Sequence, residues 1–163
     1  MATKKTIAII GATSRIGAAI AKMLAKNNYR LLLMSRQTDQ LDIIAEQIKK
    51  RDSNLEIEKI YCSTEACWEA DVIILAEPNI STKEIVEKIK PVATGKIVIS
   101  LVKFFNDGID PVPDMKELLP YSKFIDVFNL ADDPGFAAPV IDEEMLDAFI
   151  AGNDGIESSI MKN

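Results

Sequence analysis

The amino-acid sequence predicts an α/β fold: one domain, residues 1–163, in which a mostly parallel sheet lies between two layers of helices. Three observations carry that reading. Short runs that are apolar from end to end alternate with helix-spaced apolar patterns along the chain. The runs lack the polar/apolar alternation of half-exposed strands, as expected of parallel strands covered on both faces. The chain has 163 residues, 48% of them hydrophobic and 27% charged, and no repeat, low-complexity tract or linker divides it. That length can bury one substantial core without staples.

The elements follow in order. Thr6-Ile7-Ala8-Ile9-Ile10 is a strand that ends at Gly11. Ile16, Ala19, Ile20, Met23 and Leu24 mark a helix of about a dozen residues, closed by Asn27-Asn28. Arg30 to Met34 is a second buried strand, ending at Ser35. Leu41, Ile44, Ala45 and Ile48 line a second helix, with Lys49, Lys50 and Arg51 where cations suit the helix dipole. Glu56 to Tyr61 reads as an edge strand, and residues 64–69 as a helical turn. Asp71 to Ala76 is a third strong strand. Ser81-Thr82-Lys83-Glu84 is a capping box opening a helix that should stop near Pro91. Lys96 to Leu101 is the next strand, followed by a polar, Pro-rich loop at 104–113. Asp114 to Glu117 caps a short helix ending at Pro120; Lys123 to Phe128 and Asp147 to Ala151 read as later strands, and a helix begins near Asp154. Strand–helix–strand alternation of this kind gives the doubly wound, three-layer α/β/α arrangement of Rossmann-like folds.

Composition excludes several function classes. The chain has no histidine, so it has no Ser-His-Asp or Cys-His triad and no histidine metal ligand. Cys62 and Cys67 are its two cysteines, with no metal-type partners near them, so no metal site is expected. Two cysteines also give no disulfide framework, which fits a reduced, cytoplasmic protein. No run approaches the ~18 apolar residues of a membrane span, and the first apolar run is too short for a signal peptide. The formal net charge is −6. Residues 1–50 carry nine Lys/Arg against three Asp/Glu, and residues 51–163 ten against twenty-two. The acidic whole is unsuited to general nucleic-acid binding, whereas the basic first third suits a small phosphorylated ligand.

In a doubly wound sheet, ligands bind at the carboxyl ends of the strands, at the switch in strand order. The first strand–helix turn reads Gly11-Ala12-Thr13-Ser14-Arg15-Ile16-Gly17. A diphosphate there needs a tight turn, close backbone approach, close helix–strand packing and the amides of a helix N-terminus. Gly11, Ala12, Ser14 and Gly17 are all small, although Ala12 and Ser14 replace two glycines of G-x-G-x-x-G. At the end of the second strand, sites for NAD carry an acid that bonds the ribose hydroxyls. This chain has Ser35-Arg36. An arginine pairs with a 2′-phosphate and a serine hydroxyl can donate to it, so the cofactor expected is NADP (NADPH), with Arg15 as reinforcement.

Two families resemble these residues. The opening from Gly11 to Ala21 looks like that of short-chain dehydrogenases, but those have glycine at the place of Arg15 and a Tyr-x-x-x-Lys pair; here Tyr121 is followed by Lys123. The fuller resemblance is to the coenzyme F420-dependent NADP oxidoreductases. It rests on the N-terminal turn, Ser35-Arg36, Ala70 to Pro78, Gly95 to Ser100, Asp126 to Asn129 and Asp147 to Asp154. It implies that Thr13, Ser14, Arg15 and Ile16 wrap the diphosphate, with Gly11 and Gly17 shaping the turn. It further implies that Ser35 and Arg36 bind the 2′-phosphate and that Ala76, Glu77 and Pro78 lie over the nicotinamide-side ribose. Glu77 departs from the small apolar residue usual in the family, and the 104–113 loop lacks its Asn-Pro pattern. The chain stops at Asn163, where the family continues through further helix and strand units, which implies either a reduced member, a cofactor half with a shortened far side, or a truncated chain.

The implied function is that of an oxidoreductase transferring hydride between NADPH and a flavin or deazaflavin (F420-like) acceptor. That chemistry resides in the cofactors and needs no protein base, so no catalytic residue is named. The alternative is a non-enzymatic NADP-binding redox-sensor or subunit domain. The expected partners are the dinucleotide, the flavin-type second substrate and a second copy in a homodimer, with no nucleic acid and no membrane.

Overall fold

The computed structural model describes residues 5–27, 29–51, 55–76, 82–100 and 119–126. They form, in chain order, β1 (Lys5–Ile10), α1 (Arg15–Leu24), β2 (Tyr29–Met34), α2 (Thr38–Arg51), β3 (Ile57–Ile60), α3 (Ser63–Glu69), β4 (Val72–Leu75), α4 (Thr82–Ala93), β5 (Ile97–Ser100) and β6 (Lys123–Asp126). The six strands make one sheet in the order β3-β2-β1-β4-β5-β6. Every neighbouring pair is parallel. The chain winds outward from β1 to the β3 edge, then returns to the other side of β1 with β4. The order of winding therefore reverses between β1 and β4.

The apolar strands are buried on both faces because each face has its own helices. Side chains alternate across a strand, so Ile7 and Ile9 of β1, Leu31 and Leu33 of β2, Val72 and Ile74 of β4 and Ile99 of β5 share one face. They pack with Ile20, Ala21 and Leu24 of α1 and Leu41, Ala45 and Ile48 of α2. Ala8, Ile10, Leu32, Met34, Ile73, Leu75 and Val98 share the other, against Ala66 and Cys67 of α3 and Val86, Ile89 and Ala93 of α4. Each fully buried Ile or Leu contributes about 1.5–3 kcal/mol relative to exposure. Continuous apolar strands thus report two covered faces, as the sequence pattern implies.

Two polar devices fix the end of the sheet remote from the turn after β1. Arg30, at the start of β2, donates to Glu58 of β3 at 2.9 Å and to Glu69 of α3 at 3.0 Å. Those bonds, Glu58's foremost, raise the Arg30 pKa above its ordinary value. Lys96, just before β5, donates to the carbonyls of Cys67 and, at 2.7 Å, Trp68. It satisfies carbonyls that the end of α3 leaves without intrahelical partners. Burial holds the Lys96 ammonium below its usual pKa, against the attraction of Cys67 and Asp71.

The structure corrects one boundary. α4 does not stop near Pro91 but runs through it to Ala93. The helix ends instead at Gly95, whose φ of 77° is the left-handed conformation that closes a helix with least strain in glycine. Ala93 is fully buried against the sheet, and its carbonyl accepts from the Lys96 amide and the Ser122 hydroxyl. Packing and this carbonyl cap outweigh the amide that Pro91 lacks in the last turn. The residues from 64 to 69 lie in a seven-residue helix, α3. β3 is an edge strand, as expected, though trimmed to Ile57–Ile60. The 104–113 loop, the helix opened by Asp114, and the elements expected at 147–151 and from Asp154 lie outside the described residues.

Candidate functional site

The turn between β1 and α1 is held by its backbone. Gly11 takes φ 91°, a left-handed value unfavourable to any residue with a Cβ. The amides of Gly11 and Ala12 both donate to the Met34 carbonyl, at 2.9 and 3.0 Å, which ties the turn to the end of β2. The Ser14 amide donates to the Gly11 carbonyl at 3.0 Å and tightens the loop. Ser14 then caps α1: its backbone is extended and its Oγ accepts from the Gly17 amide at 2.9 Å. A serine cap of this kind contributes about 1 kcal/mol.

Gly17 supplies the close packing. A Cβ built there would lie 2.1 Å from the Gly11 carbonyl oxygen and 2.8 Å from Ser14 Oγ. The first turn of α1 is therefore seated on the end of β1 more closely than a side chain permits. The seat leaves the N-terminal amides of the helix at the carboxyl edge of the sheet. The Gly17 amide is used by the cap. Among the described residues, the amides of Thr13, Arg15 and Ile16 have no hydrogen-bond partner. Those donors, at the positive end of a helix dipole, make an anion cradle. No acidic residue stands in the first turn of α1.

The other site residues gather around this cradle to different degrees. Ala76 is fully buried, and its amide donates to the Ile10 carbonyl at 2.7 Å, so the end of β4 abuts the end of β1 at the winding reversal. Ser35, 3% exposed, lies against the turn: its Oγ is 2.5 Å from Thr13 Oγ1 and accepts from the Gln37 amide at 3.1 Å. Arg15 and Arg36 are both exposed. Arg36 points to α4, where its Nη2 lies 3.6 Å from Glu84 Oε1. Gly11, Thr13, Ser14, Arg15, Ile16, Gly17, Ser35, Arg36 and Ala76 thus share one edge of the sheet. Glu77 and Pro78 lie outside the described residues.

Two features at this edge are not readable from motif spacing. One is the Thr13–Ser35 hydroxyl pair, which requires β1 and β2 to be neighbours. The other is Glu84, legible in the sequence as a helix cap but not as the partner of Arg36.

Comparison with known proteins places this geometry in a family. Residues 6–103, from β1 past β5, match the family model described as NADP oxidoreductase coenzyme F420-dependent. A curated relative, the F420-dependent NADP reductase of Methanocaldococcus jannaschii, is 33% identical over 98 residues, which are 58% of this chain and 44% of the relative. The chain thus spans less than half the length of that relative. The resemblance at Asp126 to Asn129 and Asp147 to Asp154 falls beyond the family match. Among solved structures, the Eimeria maxima lactate dehydrogenase with NADH and oxamate aligns with a TM-score of 0.57 at 14% identity, over 77% of this chain and 44% of that one. The bulky-bulky ketone specific alcohol dehydrogenase of Comamonas testosteroni aligns with a TM-score of 0.55 at 15% identity, over 96% and 85%. At such identities these two establish the Rossmann-like fold alone. The family match is of a different kind, because it covers more than half of the chain and contains the whole cradle, Ser35-Arg36 and the end of β4. On that match the chain belongs to the coenzyme F420-dependent NADP oxidoreductase family.

Proposed function

We propose that the protein binds NADP(H) at the carboxyl edge of its sheet and passes hydride between NADPH and a flavin or deazaflavin acceptor. The observation that carries the reading is the capped, closely seated N-terminus of α1, with donors turned to the strand ends and an arginine, not an acid, following β2. The amides of Thr13, Arg15 and Ile16 would hold the diphosphate, with Arg15 adding charge. Arg36 would hold the 2′-phosphate through a planar fork matched to phosphate oxygens. Ser35 would work partly from within: its hydroxyl pairs with Thr13 and accepts from the Gln37 amide, and with Thr13 as the donor of the shared bond the Ser35 proton is left for a phosphate oxygen. Ala76, with Glu77 and Pro78, would border the nicotinamide-side ribose.

The reaction itself is carried by the bound cofactors, and the nicotinamide supplies the hydride. The chain's own contribution is alignment, exclusion of water and fixed positive potential at the phosphates. No proton needs to be moved by a side chain, consistent with a chain without histidine. We further infer that residues 1–163 act as one cytoplasmic NADP-binding domain that pairs as a homodimer. Sedimentation tests the pairing.

The test is a titration of the protein with NADPH and NADH by fluorescence or calorimetry, followed by turnover with F420 and with FMN. Saturable binding with preference for NADPH, and reduction of one acceptor, are expected. Arg36→Asp should abolish the preference by weakening NADPH while leaving NADH nearly unchanged. Equal affinity for the two dinucleotides in the parent protein would refute the 2′-phosphate assignment. Binding without turnover of either acceptor would favour a non-enzymatic sensor or subunit role.

A further inference from the structure

We propose that Glu84 is a built-in competitor for Arg36, setting how tightly the protein takes a 2′-phosphorylated dinucleotide. The proposal rests on the reading that Arg36 is the 2′-phosphate ligand, and adds a residue that opposes it. Glu84 lies in the first turn of α4, across the strand ends from the loop after β2, and its carboxylate is the anion nearest Arg36 among the described ion pairs. One oxygen, Oε1, is shared by two cations: Arg36 Nη2 at 3.6 Å and Lys88 Nζ at 3.9 Å, one helical turn along α4.

The geometry suits exchange rather than a permanent clasp. A charge-assisted hydrogen bond to a carboxylate closes to about 2.7–2.9 Å, and neither contact does so. All three side chains are about half exposed, between 52% and 55%. Exposed pairs of this kind bias an equilibrium by no more than about fivefold. A phosphate arriving at Arg36 carries nearly two negative charges and offers the fork a bidentate partner. It must displace Glu84, and Lys88 then keeps the released carboxylate from facing the phosphate alone. The three residues thus form a hand-over in which Glu84 lowers NADPH affinity and Lys88 limits that loss. A dinucleotide without the 2′-phosphate makes no claim on Arg36, so its affinity is indifferent to Glu84.

The experiment compares NADPH and NADH dissociation constants for the full chain and for Glu84→Gln, Lys88→Gln, Arg36→Gln and Glu84→Gln/Arg36→Gln, at low and high salt. Glutamine keeps the length of the side chain and its capacity to serve in a capping box, and thermal melts check that each variant is folded. Glu84→Gln should tighten NADPH by about two- to fivefold and leave NADH unchanged. Lys88→Gln should weaken NADPH. The gain from Glu84→Gln should vanish in the Arg36→Gln background, and shrink in high salt as screening weakens the pair. An unchanged NADPH constant in folded Glu84→Gln, beside a parent that prefers NADPH, would overturn this inference alone. So would a gain that persists without Arg36, because Glu84 would then be repelling the phosphate directly. A parent protein with no saturable NADPH binding would instead overturn the functional reading, and the inference with it.

Discussion

Gly17→Ala tests the seating of α1 by the sign of its effect. In an ordinary exposed helix, replacing glycine by alanine stabilises by about 1 kcal/mol, because glycine loses more backbone entropy on folding. Here the new Cβ would stand 2.1 Å from the Gly11 carbonyl oxygen and 2.8 Å from Ser14 Oγ. The serine side chain can turn aside, at the loss of its cap. The carbonyl cannot, because the Gly11 and Ala12 amides anchor that turn to Met34. The first turn of α1 must therefore retreat by about 1 Å, drawing Ile20, Ala21 and Leu24 partly off the sheet. Overpacking of this sort costs about 1–3 kcal/mol, and the lost serine cap, about 1 kcal/mol, offsets the gain in helix propensity. For a chain of this length the melting temperature should fall by roughly 2–12 °C. Urea denaturation should show a lower midpoint with an unchanged slope. NADPH affinity should fall by more than stability alone explains, because the donors at the helix N-terminus move away from the strand ends. A variant equal to the parent or more stable would refute the close seat, and with it the geometric basis of the cradle.

Three further outcomes follow from other parts of the molecule. Ser14→Ala removes the oxygen that caps the Gly17 amide; it should cost about 1 kcal/mol in urea denaturation, and Ser14→Asp should recover most of that loss. Cys62 is exposed and Cys67 buried, so iodoacetamide should label Cys62 alone in the native protein and both after denaturation, as mass spectrometry would read. Burial raises the Cys67 thiol pKa to about 12 from an ordinary 9.0. Between those values the folded protein retains a proton that the unfolded chain has released. Stability should therefore fall as pH rises through that window, by at most about 1.4 kcal/mol per pH unit. Lys96, with its pKa lowered, pulls the other way, so the comparison of the parent with Cys67→Ala isolates the thiol: the variant should lose this part of the alkaline decline.

The parts of the fold legible in the sequence are those whose cause is local. A strand buried on both faces has to be apolar throughout, so β1, β2, β4 and β5 announce themselves and their parallel pairing. A tight turn before a helix has to be built of small residues, so the β1–α1 loop is visible before any strand is placed. Pro91 shows the opposite case. Its local meaning is a helix stop, but the burial of Ala93 and the left-handed Gly95 extend α4 beyond it, and neither is apparent until the helix lies on the sheet. The site divides along the same line. Gly17 can be recognised from its position in a motif, whereas the reason that it must be glycine is a distance to Gly11, on the strand side of the turn. Ser35 reads as a free hydroxyl at a strand end; parallel pairing of β1 with β2 turns it into the partner of Thr13. Glu84 reads as a cap for its own helix, and only the return of the chain to the far side of β1 brings it to Arg36. What a sequence motif conveys here is which groups can face a phosphate. How tightly they hold it depends on groups from the other half of the sheet, whose approach is a consequence of topology and carries no mark of its own in the motif.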